Sequence, residues 1–240
     1  MSFDNVYDDA KRASSYASLE FPGTYYLAYR DLPEIIRAHA TAGRALDFGC
    51  GAGRSTRFVR KLGFDTVGID ISDDMIKLAQ AAEPGGDYRK IENNGRIPPD
   101  LGTFDLVLAV FTFDNIPTWE RKISLFSGLR DRCNPTGHIV SLVSSPEIYT
   151  HEWASFTTKQ FKENFTARTG DVVKTIMTDV DDRRPVDDIF WPDDAYREVY
   201  AKSGLHLVQT YRPLGRSDEP YPWVSETTVA PWTIYVLKRA

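Results

Sequence analysis

Between residues 44 and 111 the chain alternates short apolar runs with an amphipathic segment, a pattern that predicts parallel strands joined by a helix. The runs Ala45–Phe48 and Thr66–Ile69 are typical of buried strands. The segment Arg54–Lys61 between them predicts a helix, and Gly63 stands where a helix would end. The strongly apolar run Phe104–Phe111 predicts a central strand of the same sheet. The pattern therefore indicates an α/β fold that opens with a βαβ unit.

The rest of the chain continues this alternation with one interruption. Helices are predicted over Leu32–Ala40, Trp119–Cys133 and Asp193–Lys202, and strands over Tyr88–Ile91, His138–Val143, Leu205–Tyr211 and Thr233–Lys238. Residues 145–190 depart from the pattern, although Val172–Met177 alternates like a strand. We interpret them as a small inserted cap within a single domain that spans residues 1–240.

Three glycines follow the first predicted strand at alternate positions, and their spacing limits the ligand. Gly49, Gly51 and Gly53 allow a backbone to approach a ligand closely, because no Cβ atom intervenes. A dinucleotide fingerprint would require a third glycine three positions after Gly51, where this chain has Arg54. The turn therefore fits a nucleotide-like ligand without a pyrophosphate.

Two acids flank this turn and suggest the polarity of the ligand. Asp47 lies at the end of the first strand and would suit an ammonium group. Asp70 ends the second strand, where a carboxylate can accept both hydroxyls of a ribose. An amino acid joined to a nucleoside has this polarity, and S-adenosylmethionine (SAM) is such a molecule.

Two segments resemble a known family. LDFGCGAGRSTRFVRKLGFDTVGIDIS (46–72) and FDLVLAVFTFDNI (104–116) resemble motifs of the class I SAM-dependent methyltransferases, and the likeness covers roughly residues 40–145. It implies a Rossmann-like, doubly wound, seven-stranded, mostly parallel sheet with an antiparallel C-terminal hairpin, SAM as cofactor and S-adenosylhomocysteine (SAH) as product. A similar turn that binds no SAM is disfavoured, because the two motifs agree in order and separation.

The resemblance also implies a set of cofactor-binding residues at the glycine turn and the strand ends. They are Asp47, Gly49, Cys50, Gly51, Gly53, Asp70, Ile71, Met75, Asn93, Val110 and Phe111. Ile71 and Met75 are expected beside the adenine, although Met75 could serve only the core. Asn93 is chosen from Glu92–Asn94, where relatives place a polar residue against the adenine amino group.

The first 40 residues are rich in aromatic side chains, among them Tyr7, Tyr16, Phe21, Tyr25, Tyr26 and Tyr29. They either pack on the sheet or form an N-terminal lid over cofactor and acceptor, where aromatic faces attract a sulfonium cation. Tyr7 is the substrate-side candidate of this lid, and Tyr16 is assigned to the cofactor.

Candidates for the acceptor side lie after the central strand and in the insert. Asp114 and Asn115 either orient a polar heterocycle or cap the next helix. His151 is a base candidate near the predicted mouth, with an idle surface histidine as the alternative. The chain lacks the Asn-Pro-Pro-aromatic tetrad of exocyclic-amine methylases. No Lys-Glu or His-Asp constellation is evident, which favours an acceptor nitrogen whose proton is already acidic.

A further resemblance concerns the acceptor. The segment VYDDAKRASSYASLEFPGTYYLAYRDLPEI (6–35) is similar to azapteridine N-methyltransferases of toxoflavin biosynthesis. This likeness implies a flat bicyclic acceptor, a toxoflavin precursor, that is methylated on ring nitrogens. The alternatives are an O- or C-methyltransferase of another natural-product pathway, a non-catalytic SAM-binding regulator and an NAD-linked oxidoreductase.

Composition and charge limit the kinds of partner that the protein is expected to bind. The net charge of −5, the pI near 5.4 and the lack of a basic run argue against a nucleic-acid substrate. No apolar stretch approaches membrane-spanning length and the N-terminus is polar, so we expect a cytoplasmic monomer or homodimer without a membrane partner. Cys50 and Cys133 are expected to be reduced thiols. Asp179, Asp181 and Asp182 fit a solvated turn better than a metal site, so no metal is predicted.

Overall fold

The computed structural model describes residues 22–94 and 96–240. Its strands are β1 (Arg44–Phe48), β2 (Asp65–Asp70), β3 (Asp87–Lys90), β4 (Phe104–Val110), β5 (Cys133–Ser144), β6 (Phe156–Thr157), β7 (Val172–Met177), β8 (Val186–Ile189), β9 (Leu205–Tyr211) and β10 (Trp232–Arg239). Its α-helices are α1 (Thr24–Arg30), α2 (Leu32–His39), α3 (Arg54–Lys61), α4 (Asp73–Ala82), α5 (Trp119–Arg132) and α6 (Asp193–Lys202).

Seven strands form the main sheet in the order β3-β2-β1-β4-β5-β10-β9. Strands β1 to β5 are parallel to one another, whereas β10 runs antiparallel to both β5 and β9. The chain order reverses between β1 and β4, because β2 and β3 extend the sheet on one side and the later strands on the other. The predicted doubly wound sheet with its antiparallel C-terminal hairpin is thus confirmed.

Alternate residues of the central strands supply two separate cores, as the period of two in a strand requires. On one face, Leu106 and Leu108 of β4 pack with α1, α2 and α3. On the other face, Val107 and Ala109 of the same strand pack with α5 and α6. Both faces of the parallel sheet are therefore covered, which explains why its strands read as continuous apolar runs.

A second, three-stranded antiparallel sheet has the order β6-β7-β8 and lies within the segment interpreted as an insert. Of its strands, only β7 was predicted, because β6 has two residues and β8 (VDDI) lacks a clear alternation of apolar and polar positions. Strand β8 packs against the helical turn Thr112–Asn115 that follows β4. The small sheet therefore covers the carboxyl edge of the main sheet next to β4.

Strand β5 begins earlier than predicted. The motif Asn134–Gly137 was interpreted as the end of a helix, yet it belongs to the strand, and pairing starts at Cys133 opposite Phe104. The register shifts here, and a Cβ atom on Gly137 would lie 2.9 Å from the carbonyl oxygens of Phe104 and Asp105. The glycine therefore allows a close approach of two strands rather than a turn.

Candidate cofactor and acceptor site

A cleft opens at the carboxyl ends of β1, β2 and β4, where the strand order reverses. Ligands of open α/β sheets bind at such a switch point. The cleft encloses about 1250 Å³ of empty space, part of which is open to solvent. It brings together nine of the residues predicted for the cofactor: Gly49, Cys50, Gly51, Asp70, Ile71, Met75, Asn93, Val110 and Phe111.

All three glycines of the turn have positive φ angles, 73° at Gly49, 52° at Gly51 and 79° at Gly53. A Cβ atom on Gly49 would collide with the Thr112 side chain at 2.3 Å, and one on Gly53 would collide with Tyr88 at 2.7 Å. A Cβ atom on Gly51 would meet only the Met75 sulfur, at 3.9 Å. Gly51 therefore faces the open cleft, whereas the other two are required by packing within the protein.

Gly53 is consequently a structural residue in this arrangement. It is the residue before helix α3, in the left-handed conformation, and it does not line the cleft. Arg54 and Ser55, which follow it in α3, do line the cleft, so contact between Gly53 and the cofactor stays a prediction.

The carboxylate of Asp70 is fixed by two backbone donors. The Gly51 N–H donates to Oδ2 at 2.9 Å, and the Ser72 N–H donates to Oδ1 at 2.8 Å. Asp70 lines the cleft at the end of β2. A carboxylate oxygen can accept more than one hydrogen bond, so a carboxylate held in this orientation suits ribose hydroxyls.

Asp47 does not line the cleft and is fully buried beneath the glycine turn. Its Oδ2 accepts hydrogen bonds of 2.6 Å from the hydroxyls of Ser55 and Thr56 in the first turn of α3, and no described residue donates to Oδ1. Burial raises the pKa of Asp47 to about 6, against the effect of these two hydroxyls. Asp47 therefore ties the strand to the helix, and its contact with a ligand ammonium stays a prediction.

The side of the cleft where adenine is predicted has an apolar floor that the sequence did not reveal. Besides Ile71 and Met75, it is lined by Ile91 after β3, Ile116 after the turn that follows β4, and Leu125 in the middle of α5. These three share no sequence signal beyond being apolar, which is common to every core residue. Asn93 lines the same region, and its Oδ1 accepts a hydrogen bond from the Arg121 guanidinium.

A smaller pocket of about 460 Å³ adjoins the cleft, and Phe111 and Asn115 line both. Its walls include the aromatic rings of Tyr25, Phe111, Phe156 and Trp232. Ring centroids lie 5.7 Å apart for Tyr25 and Trp232, which are stacked, and 4.7 Å apart for Phe111 and Trp232. This arrangement can hold a flat, apolar-faced molecule beside the cleft.

Phe111 stands at the junction in an unusual conformation. Its φ of 59° makes it the single non-glycine residue with positive φ in the part of the chain that the structure describes. Its N–H donates to the Leu142 carbonyl at 2.8 Å, so β5 holds the strained backbone in place. Such strain costs of order 1 kcal/mol and is typical of ligand sites.

Asp114 lies at the base of the smaller pocket. Its carboxylate accepts from the Ser144 N–H at 3.1–3.2 Å and from the Ser144 hydroxyl at 2.9 Å. Burial raises its pKa to about 6. The following helix is capped by Thr118, whose hydroxyl accepts from the Arg121 N–H at 3.2 Å. The cap alternative for Asp114 and Asn115 is therefore not what the structure shows, and both line the pocket.

A second acid, Asp188 of β8, lines the same pocket and was missed by the sequence analysis. The Tyr149 hydroxyl donates to its Oδ2 at 3.3 Å. Burial and the neighbouring Asp114 raise the pKa of Asp188 well above its usual range. The buried ammonium of Lys122 acts on both carboxylates, and burial lowers the pKa of Lys122 to about 7. No sequence spacing connects Asp114 with Asp188.

His151 is outside both pockets, contrary to the expectation that it lies near the acceptor. Its Nδ1 is 3.1 Å from the Glu147 carbonyl oxygen and 3.1 Å from the Thr150 hydroxyl, and its ring packs beside Trp153. Tyr7 and Tyr16, the predicted lid residues, lie outside the described residues.

Two further predictions are that the protein binds no metal and has no membrane partner. The described residues do not bring three His, Cys, Asp or Glu side chains together as a metal site would. Asp182 of the acidic turn accepts a 2.6 Å hydrogen bond from the Arg184 guanidinium. None of the helices in the described ranges has the length and apolar character needed to span a bilayer.

Comparisons with known proteins agree with this geometry. Residues 46–139 match a family model described as a methyltransferase domain. The ubiquinone biosynthesis O-methyltransferase of Methylococcus capsulatus is 36% identical over 90 residues, which are 35% of this chain and 38% of that protein. The chain thus aligns with well under half of the length of that curated relative.

Solved structures resemble the chain over nearly its whole length. A SAM-dependent methyltransferase from Clostridium acetobutylicum superimposes with a TM-score of 0.60 at 12% identity, covering 98% of this chain and 96% of that one. The DhpI–SAH complex gives 0.60 at 16% identity, covering 96% and 93%. These likenesses confirm the predicted fold class.

Proposed function

We propose that this chain, which has the fold of the class I SAM-dependent methyltransferases and a methyltransferase domain over residues 46–139, transfers the methyl group of SAM to a small heterocyclic acceptor. The observation that carries the proposal is the meeting of two pockets at Phe111 and Asn115. One pocket suits a nucleoside and the other a flat molecule, so donor and acceptor would meet at this junction.

The cleft fits SAM on three counts. Asp70 presents a carboxylate already oriented by two backbone N–H groups for the ribose. The open space next to Gly51 would be filled by a Cβ atom in any other residue. Ile71, Met75 and Leu125 supply an apolar surface for the adenine. SAM brings a methyl group that is already activated on a sulfonium, and the protein needs to supply binding, orientation and exclusion of water.

We assign the smaller pocket to the acceptor, an azapteridine precursor of toxoflavin that would be methylated on ring nitrogens. The aromatic walls formed by Tyr25, Phe156 and Trp232 support a flat ring system, and Asp114 and Asn115 offer polar contacts at its edge. The similarity of residues 6–35 to azapteridine N-methyltransferases supports the same assignment.

Positioning carries much of the catalysis in this proposal. Phe111, held in its conformation by the bond to Leu142, and Asn115 would orient the acceptor edge toward the cleft. Fixing two reactants in a reactive geometry contributes about 7 to 11 kcal/mol in favourable cases. The aromatic walls exclude water from the acceptor nitrogen, which strengthens electrostatic interactions around it.

The test has two stages. Calorimetric titration with SAH should show saturable binding, and a chain that does not bind SAH would contradict the cofactor assignment. The protein is then incubated with SAM and the unmethylated azapteridine, and mass spectrometry with fragmentation locates the added methyl group. Methyl groups on ring nitrogens are expected; SAH binding without methylation of this acceptor would refute the acceptor assignment while leaving the cofactor assignment intact.

An O-methyltransferase of another natural-product pathway is the second candidate. The Methylococcus capsulatus relative, named an O-methyltransferase, supports it, as does the presence of Asp114 and Asp188 as proton acceptors in the pocket. A catechol tested beside the azapteridine separates the two, because only the second candidate predicts turnover of the catechol.

A further inference from the structure

We propose that Asp188 is the residue that binds the N–H edge of the acceptor and accepts the proton released when its nitrogen is methylated, with Asp114 as its partner in recognition. This inference rests on the proposed function and adds to it a base and a specificity determinant. It assigns the small sheet a part in the chemistry, since Asp188 comes from β8.

The two acids reach the pocket from different parts of the chain. Asp114 belongs to the helical turn after β4, and Asp188 belongs to β8, which packs against that turn. Both line the acceptor pocket together with the rings of Tyr25, Phe111 and Trp232. A flat molecule that packs against these rings would therefore present its edge to the carboxylates.

The hydrogen bonds distinguish the roles of the two carboxylates. Both oxygens of Asp114 accept from the Ser144 N–H, and Oδ2 also accepts from the Ser144 hydroxyl. Asp188 accepts only at Oδ2, from Tyr149, and its Oδ1 has no donor within residues 22–94 and 96–240. Asp188 is half-buried at the pocket wall, whereas Asp114 is buried. Asp188 thus has the oxygen that remains available to a ligand.

The charges around the pocket favour a ligand that donates hydrogen bonds to Asp188. Lys122 is fully buried, donates to the Phe113 carbonyl and lies 4.6 Å from the centre of the Trp191 ring. Its one positive charge stands against the two carboxylates of Asp114 and Asp188. A ligand that donates N–H bonds compensates this excess, whereas a carbonyl or anionic edge would be repelled.

The proposed methyl transfer needs no reactant other than SAM and the acceptor, and Asp188 takes up the released proton. The nitrogen electron pair forms the N–CH₃ bond as the C–S bond breaks, and the sulfur leaves as the neutral thioether of SAH. The acceptor N–H bond breaks, and its proton passes to the carboxylate of Asp188. Burial and Asp114 hold the pKa of Asp188 above its usual range, which makes its carboxylate a stronger base than an exposed aspartate.

The test compares Asp188→Asn with Asp187→Asn, a control on the same strand whose side chain is exposed. With the azapteridine and SAM, Asp188→Asn should lower kcat by about 100-fold or more, the usual contribution of a general base. SAH affinity and melting temperature should stay at the wild-type value in both variants. Wild-type kcat in Asp188→Asn would overturn the proposal and leave the proposed function standing.

The pH profile gives a second readout. The wild-type kcat should rise with pH as Asp188 loses its proton, and this rise should disappear in Asp188→Asn. Tyr149→Phe removes the hydroxyl that stabilises the carboxylate, so the rise should move to higher pH. The groups that face Asp188 are Asp114, Lys122, Tyr149 and Asp187. An unchanged profile in both variants would contradict proton transfer to Asp188.

Recognition can be tested without turnover. The probe is 2,4-diaminopyrimidine, a flat ring with an N–H edge, titrated into the SAH complex while tryptophan fluorescence is followed. The wild type and Asp187→Asn should bind it, and Asp188→Asn should bind about tenfold more weakly, as expected for one lost hydrogen bond to a charged group. Equal affinity in all three proteins, or no binding to the wild type, would refute the proposed recognition.

Discussion

The hydroxyl of Thr24 donates a 2.6 Å hydrogen bond to the carboxylate of Glu226, which lies 202 residues further along the chain. Glu226 is fully buried and also accepts from the Ala154 N–H at 2.8 Å. This one carboxylate therefore ties together the start of α1, the segment before β6 and the connection between β9 and β10. Tyr25, the next residue after Thr24, forms a wall of the acceptor pocket.

Replacing Thr24 with valine should destabilise the protein by about 2 to 6 kcal/mol, because two buried groups lose partners at about 1 to 3 kcal/mol each. The carboxylate of Glu226 loses one of its donors, and the Ser155 N–H loses the hydroxyl that it reaches at 3.0 Å. Urea denaturation measures the change. Thr228→Val is the matched control: it removes an exposed hydroxyl and should alter stability by less than about 0.5 kcal/mol. Equal stability of both variants would contradict the role assigned to Thr24.

The sequence predicted that the glycine turn and Asp70 lie together at one edge of the sheet, because these signals are local. The turn from Gly49 to Gly53 and the acid that ends β2 lie within one βαβ unit, so their spacing alone places them at one edge of the sheet. The same spacing could not show that Asp47 points into the protein, since that depends on the hydroxyls of Ser55 and Thr56.

The acceptor side could not be predicted in the same way. Tyr25, Asp114, Asp188 and Trp232 meet in one pocket although long stretches of chain separate them. Their meeting depends on how β8 and β10 pair, and neither pairing leaves a periodic signal at these residues. His151 was selected for its chemistry and its place in the sequence, and neither could show that its ring packs beside Trp153.

Asp70→Ala should weaken SAH binding by about ten- to a hundredfold, because hydrogen bonds to charged groups contribute about 1.5 to 3 kcal/mol each. The variant also releases the N–H groups of Gly51 and Ser72 that the carboxylate holds. Calorimetric titration measures the affinity. Asp74→Ala, which removes an exposed acid from the next helix, should bind SAH as the wild type does. An unchanged affinity in Asp70→Ala would place the ribose elsewhere.

Comparing Gly51→Ala with Gly63→Ala distinguishes the effect of backbone strain from the effect of lost space in the cleft. The new Cβ atom would meet only the Met75 sulfur at 3.9 Å, so it would project into the cleft without a clash inside the protein. Gly63 also has positive φ, and a Cβ atom there meets nothing within 4 Å. Both alanine variants should lose about 1 kcal/mol of stability to strain. SAH affinity should fall only in Gly51→Ala; a similar fall in Gly63→Ala would show that strain alone reduces binding.

The buried carboxylate of Asp47 should make the protein less stable as the pH rises, whereas a salt-bridged acid makes a protein more stable as the pH rises. Its pKa is raised to about 6 in the folded protein from 3.8, mainly by burial, so between these values the folded state binds more protons than the unfolded state. Stability from this group is therefore present below pH 4 and declines as pH rises through 6, by about 3 kcal/mol for a shift of roughly two units.

Asp47→Asn keeps a neutral group at all pH values, so its stability relative to the wild type should increase from pH 4 to pH 7 in urea denaturation. Ser55→Ala removes a donor that stabilises the carboxylate and should make the decline steeper than in the wild type. Parallel curves for the wild type and Asp47→Asn would mean that this carboxylate does not titrate in the folded protein.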